Sequence, residues 1–238
     1  LAAVVSSQSE DDFDLGMRVN LDATQVLFET CRAVGHCPKV IFASSLAVYG
    51  GNLPEVVHDD TALNPKTSYG VQKAICELLL SDYSRKGFID GRGLRLPTIS
   101  VRPGKPNKAA SSFASGIIRE PLNGVDTVCP VTADMHLLLM SPRQAVECMI
   151  WAHDLGAEAF WQTHVINLPG VTVTVGEMVE VLGKIAGPGA TRKIHWEADP
   201  AVQRIIGTWP TRWDARRAHM LGFKGDQDFE SIVRAFIK

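Results

Sequence analysis

The run KVIFASS, Lys39 to Ser45, constrains this chain more than any other stretch. A short, unbroken apolar segment with β-branched and aromatic residues is the pattern of a strand buried on both faces, and such strands belong to parallel sheets covered by helices. Its flanks agree. Upstream, FDLGMRVNLDATQVLFETCRAVG carries Val19, Ala23, Val26 and Leu27 at helical spacing and stops at Gly35, the residue type favoured just past a helix end. Downstream, a loop rich in Gly, Asn and Pro runs from Gly50 to Pro65. A second helical segment follows to about Lys86, stopped by Gly87, with Val71, Ile75, Leu78 and Leu79 as its expected buried stripe. GLRLPTISV and THVINLPG are further strand candidates. This alternation predicts an α/β fold with a parallel, doubly wound sheet. Gly104 to Ser112 reads as a loop leaving that sheet, and the less regular sequence beyond it as an inserted smaller lobe.

With 238 residues, 45% of them hydrophobic and 21% charged, the chain can bury one large core or a core plus a smaller lobe. The formal net charge of -2 and the lack of any Lys/Arg block argue against a nucleic-acid or anionic-membrane footprint, which needs concentrated positive charge. No apolar run approaches a membrane span in length. The five cysteines are odd in number and lack CxxC spacing, so neither a disulfide framework nor a metal site is indicated, and a cytoplasmic setting is expected. The opening LAAVV, with no methionine, reads as the inside of a domain whose beginning is missing.

In a parallel α/β sheet, ligands bind beyond the carboxyl ends of the strands. KVIFASS delivers Ser45 to that rim. The next helix carries Tyr69 and Lys73, four residues apart and therefore on one face. Taken singly, a serine after a strand is commonly a turn residue, and a Tyr/Lys pair commonly belongs to a solvated face. Their order on consecutive elements is what raises the question of chemistry.

SSLAVYG, SYGVQK and LRLPTISVRPG resemble, in order and spacing, the extended short-chain dehydrogenase/reductases, which include nucleotide-sugar epimerases and dehydratases. The resemblance covers the whole chain. It implies a Rossmann-like doubly wound sheet with a smaller substrate-binding lobe, NAD as cofactor, a small-molecule substrate, a homodimer, and neither nucleic acid nor membrane as partner. It also implies roles: Ser45 orients the substrate oxygen, Tyr69 takes or gives the proton, and Lys73 bonds the nicotinamide ribose. Ala2 and Ala3 fall at the strand end beneath the cofactor, Thr98 near nicotinamide or substrate, and Asn20 braces the active-site helix. A tyrosine base working at neutral pH needs its pKa lowered by roughly 3 units, about 4 kcal/mol, and Lys73 is expected to contribute. The Gly-rich pyrophosphate turn and the acidic residue that selects NAD over NADP belong to the first βαβ units of this fold, roughly 60 residues upstream. The given chain alone is therefore expected to bind cofactor poorly.

The subtype can be narrowed. Dehydratases of the family place an Asp-Glu pair where this chain has Leu46 and Ala47, and many epimerases place Arg where it has His136. LRLPTISVRPGKPNKAASSFASGIIREPLNG closely resembles the D-erythronate dehydrogenases, which implies NAD-dependent oxidation of a small 2-hydroxy sugar acid at C2. Arg102, Lys105, Lys108 and Arg119 suit its carboxylate. Arg119 is the expected anchor, on a helix starting near Ser111 with Ser111 or Ser112 as N-cap; Ser112 and Arg143 complete the expected substrate set, and Lys105 is a further candidate. Surface pairing of Arg119 with Glu120 or Asp126 is the alternative. The expected division assigns 1–104 to the cofactor domain, to which helix 142–154 and strand 164–168 return, and 105–131 with 184–238 mainly to the substrate lobe. Two other functions stay open: a nucleotide-sugar epimerase using the same Ser, Tyr and Lys, and a catalytically idle redox-sensing protein.

Overall fold

KVIFASS joins a parallel sheet whose middle strand is covered from both faces, Gly91 to Arg95 all being buried, whereas on KVIFASS itself only Phe42 and Ser44 are buried. The computed structural model describes residues 3–107 and 109–237; Ala2 and Lys108, expected at the cofactor and substrate, lie outside the described residues. Eight strands occur among those residues: β1 (Lys39–Ser45), β2 (Asp90–Leu96), β3 (Thr98–Ile99), β4 (Thr127–Cys129), β5 (His136–Met140), β6 (Val165–Asn167), β7 (Val171–Thr174) and β8 (Ile194–Trp196). β1, β2 and β6 form a parallel sheet in that order, in register from Lys39 opposite Asp90 to Ser45 opposite Leu96. β3, β5 and β7 form a mixed sheet, and β4 pairs with β8. Pro97 divides what reads in sequence as one strand: it has no N–H for a ladder, so β2 ends there and β3 pairs instead with β5.

The principal helices are α1 (Ala23–Val34), α2 (Ser68–Arg85), α3 (Phe113–Leu122), α4 (Pro142–Asp154), α5 (Val175–Ala186), α6 (Pro200–Ile206) and α7 (Phe229–Ile237). Their starts follow capping chemistry. Thr67 caps α2, Ser141 caps α4 ahead of Pro142, and Thr174 with Glu177 forms a full capping box on α5. Ser112 stands at the N-cap position of α3 without a side-chain capping bond. One core joins β2 and β6 to α4 through Leu94, Ile166, Ala145 and Phe160. A larger one joins α3, α5 and α7 through Ile117, Met178 and Ile232.

The helix faces correct two sequence expectations. On α1 the stripe containing Val26 and Leu27 is 64% and 53% exposed, while Phe28 is buried. On α2 Val71 and Leu78 are 41% and 67% exposed, Ile75 and Leu79 are half-buried, and the buried face carries Gln72, Lys73, Cys76 and Glu77. The physical reason is that these buried polar side chains find partners, with Gln72 Nε2 the exception among the described residues. Glu77 receives three hydrogen bonds from Arg95, and Asn20 donates to Gln72. Desolvation is offset by those bonds, so a polar face points inward and an apolar one outward.

Candidate active site

The chemistry expected of Ser45, Tyr69 and Lys73 depends on whether β1 and α2 meet closely, and one glycine lets them. A Cβ on Gly70 would lie 2.1 Å from the Ala47 carbonyl oxygen, a separation no side chain tolerates. Without it, the first turn of α2 rests against the turn Leu46–Val48 that follows Ser45. Thr67 fixes the helix start, its hydroxyl accepting from Gly70 N–H at 3.1 Å. Ser45 caps the short turn, its Oγ accepting from Ala47 N–H at 3.2 Å. Ser45 and Tyr69 line one cavity, and the Ser45 hydroxyl is near enough to the phenol to oppose the rise of its pKa.

Lys73 is buried one turn farther along α2. Its Nζ donates to the Ala43 carbonyl at 2.8 Å and stands 4.7 Å from the Phe42 ring centroid and 5.7 Å from that of Tyr69. An ammonium has three donors, and only this one is spent on a hydrogen bond among the described residues. A buried ammonium with two free donors beside the rim of β1 fits hydroxyl acceptors such as those of a nicotinamide ribose, so the residues present suit the cofactor implied by the fold. Burial pulls the Lys73 pKa below its usual value, opposed by Cys76 and Glu77. Burial also pushes the Tyr69 phenol above 10.0, with the Ser45 hydroxyl opposing it. This differs from the expected lowering by Lys73: in the protein alone, desolvation of the phenolate prevails. Tyr49 is no competitor as a base, because burial pushes it to about 12 and its hydroxyl is engaged by Arg95, Asn167 and the His58 carbonyl.

A polar brace stands behind these residues. Ser44 donates to Glu77 Oε1, so the residue before Ser45 is tied to the residue one turn past Lys73. Glu77 and Arg95 are 3% and 6% exposed and pair at 2.8 Å, linking α2 to β2. On the other side Asn20, in a π-helical turn at Met17–Asp22, accepts from Val4 N–H and donates to Gln72 Oε1 at 2.7 Å, the bracing expected of it.

A cavity of about 140 Å³ opens at this rim, lined by Ser45, Leu46 and Tyr69, by Leu96 to Ile99, and by Arg102, Ser111 and Trp209. It brings together Ser45, Tyr69 and Thr98 as expected. Arg119 is elsewhere: it is buried under the cavity wall, its guanidinium bound to Glu120 and to the Arg102 carbonyl. Arg143 is exposed on α4 and pairs with Glu147. Ser112 turns its hydroxyl to Asn107 N–H at 3.2 Å, while its neighbour Ser111 faces the cavity. Lys105 and Ala3 are exposed, and the chain start reaches the site through Val5 and Ser6. Leu46 and Ala47 are buried and apolar, so no acid pair stands at that position. Trp209 had no sequence signal, since it lies far along the chain in an unremarkable context.

Residues 1–159 match the NAD dependent epimerase/dehydratase family. The whole chain is 60% identical to the D-erythronate dehydrogenase of Cupriavidus necator, spanning 74% of that protein. It is 49% identical to the D-erythronate dehydrogenase of Haemophilus influenzae, spanning 76% of that one. A crystal structure described as the nucleoside-diphosphate-sugar epimerase from Agrobacterium tumefaciens superposes with a TM-score of 0.93 at 46% identity, covering 99% of this chain and 70% of that one.

Proposed function

Because the chain belongs to the NAD dependent epimerase/dehydratase family, we propose that it is an NAD-dependent dehydrogenase that oxidises the C2 hydroxyl of D-erythronate to the 2-oxo acid. The observation that carries the reading is the convergence of Ser45 and Tyr69 on the wall of one cavity with the Lys73 ammonium behind them, together with the two relatives of that name.

Bound NAD would supply the hydride acceptor for C2 and a positive charge favouring the phenolate. Ser45 holds the C2 oxygen by a hydrogen bond, and Tyr69 removes its proton as general base. Lys73 offers its two free donors to the ribose and its charge to the phenolate. The brace of Glu77, Arg95 and Ser44 keeps Ser45 and Tyr69 within reach of one oxygen. We place the choice of substrate largely in the wall supplied by Arg102, Ser111 and Trp209.

The outward apolar residues Val26, Leu27 and Val34 on α1 and Val71 and Leu78 on α2 support a homodimer in which a second copy covers these two helices. Leu78→Lys should then yield monomers in sedimentation equilibrium; an unchanged dimer would place the contact elsewhere. All five cysteines are free thiols, in keeping with a reducing cytoplasm.

The deciding experiment follows NADH absorbance with the full-length protein, D-erythronate and NAD. Net NADH release supports the proposal. The structure described as a sugar epimerase favours a second reading, in which a UDP-sugar is converted with no net NADH; that result would replace the first.

A further inference from the structure

The cavity wall contains two polar groups that the proton-transfer chemistry does not use, and both lack partners. Arg102 is the one charged side chain lining the cavity among the described residues, and no carboxylate lines it. Its backbone is clamped by α3: the Arg102 N–H donates to Ser115 Oγ at 3.0 Å, and its carbonyl accepts from Arg119 Nη1 at 2.7 Å. Its guanidinium, by contrast, makes no hydrogen bond or ion pair with any described residue. Partial burial and the nearby Arg119 charge lower its pKa. The second group is Trp209, whose indole Nε1–H is fully buried with no acceptor among the described residues. The indole faces the same cavity from beyond α6.

A buried donor without an acceptor is rare in folded proteins, and one on the same cavity wall as an unpaired, half-buried guanidinium calls for a ligand with acceptor oxygens. A lone guanidinium with no acid nearby selects a planar anion, since its fork matches the two oxygens of a carboxylate. We propose that Arg102 and Trp209 form the carboxylate end of the substrate site, Arg102 gripping the C1 carboxylate and the Trp209 N–H donating to one of its oxygens or to a neighbouring hydroxyl. This rests on the reading of the cavity as a 2-hydroxy-acid site. Arg119 then acts as a positioning residue: bound to Glu120, it holds the Arg102 backbone rather than the acid itself.

Two measurements on the full-length protein test it. The first compares kcat/KM for D-erythronate with that for its uncharged amide. Arg102→Met should lose roughly ten- to a hundredfold on the acid and little on the amide, and Arg102→Lys should recover part of the loss. Trp209→Phe keeps the ring and removes the donor, and should cost about three- to tenfold on the acid. Equal losses on acid and amide, or none on either, overturn the proposal.

The second uses 2-hydroxyisobutyrate, which has no hydrogen on C2 and cannot be oxidised. Calorimetric binding that is present in the wild type and lost in Arg102→Met supports the carboxylate site even if D-erythronate proves not to be the substrate. Binding that survives unchanged in Arg102→Met and Arg102→Lys overturns it, whatever the turnover assay shows. NAD affinity should be the same in all three variants. A parallel loss of NAD binding would assign Arg102 to the cofactor and also refute the inference.

Discussion

Gly70→Ala should nearly abolish turnover while leaving the protein folded. The added methyl would stand 2.1 Å from the Ala47 carbonyl oxygen and 2.9 Å from Pro65 Cβ. Since real Cβ contacts do not fall below 3.0 Å, the backbones must separate by at least 3.0 − 2.1 = 0.9 Å. Neither is a flexible side-chain tip, so α2 and the turn after Ser45 have to move apart. Two effects compete in stability. Overpacking costs about 1–3 kcal/mol, whereas replacing glycine in a helix stabilises by up to about 1 kcal/mol. The clash wins because it involves backbone, giving a net loss of about 1–2 kcal/mol. Activity is hit harder. Tyr69 rides on the shifted turn and Ser45 precedes the turn it is pushed from, and a misplacement near 1 Å costs on the order of a hundredfold in rate. Urea unfolding followed by circular dichroism gives the first quantity, and kcat at saturating NAD and D-erythronate gives the second. A variant with kcat within threefold of wild type would show that the close contact does not set the Ser45–Tyr69 geometry.

Further outcomes follow from the same geometry. Tyr69→Phe should drop kcat to a few per cent of wild type or less with NAD affinity intact, and Lys73→Met should weaken both, so unchanged NAD affinity in the latter would contradict its ribose contact. Glu77→Ala leaves Arg95 buried without its partner and should cost about 3–5 kcal/mol in urea unfolding; Glu77→Leu with Arg95→Met should regain a large part, and a single-variant loss below 1 kcal/mol would remove the pair from the account. Because burial raises the Tyr69 pKa, the required phenolate is the minor form at neutral pH and grows as pH rises, so kcat/KM should climb toward alkaline pH. Ultraviolet difference titration of wild type against Tyr69→Phe should put this phenol above 10.0 without cofactor and lower with NAD; a value below that of free tyrosine in the protein alone would refute the burial argument.

The sequence by itself determined the parallel strands and singled out the trio proposed as catalytic. KVIFASS and GLRLPTISV announce parallel strands through their unbroken apolar runs, although only the second is buried along most of its length, KVIFASS burying just Phe42 and Ser44. Ser45, Tyr69 and Lys73 are legible because their spacing is local: one residue ends a strand, and the others share a helix face. Gly35 and Gly87 mark helix ends through their positive φ of 78° and 74°. Only the tertiary structure decided which face of each helix points inward. Val71 and Leu78 look like a core stripe, yet Glu77 and Gln72 are buried instead because Arg95 and Asn20, remote in sequence, supply their hydrogen bonds. Likewise Arg119 and Arg102 are equivalent as letters in one basic stretch. Glu120 and the Arg102 carbonyl occupy the first, and the second lines the cavity with Trp209, its guanidinium without a partner among the described residues. Partnering of this kind depends on which distant groups converge, and periodicity along the chain carries no record of that.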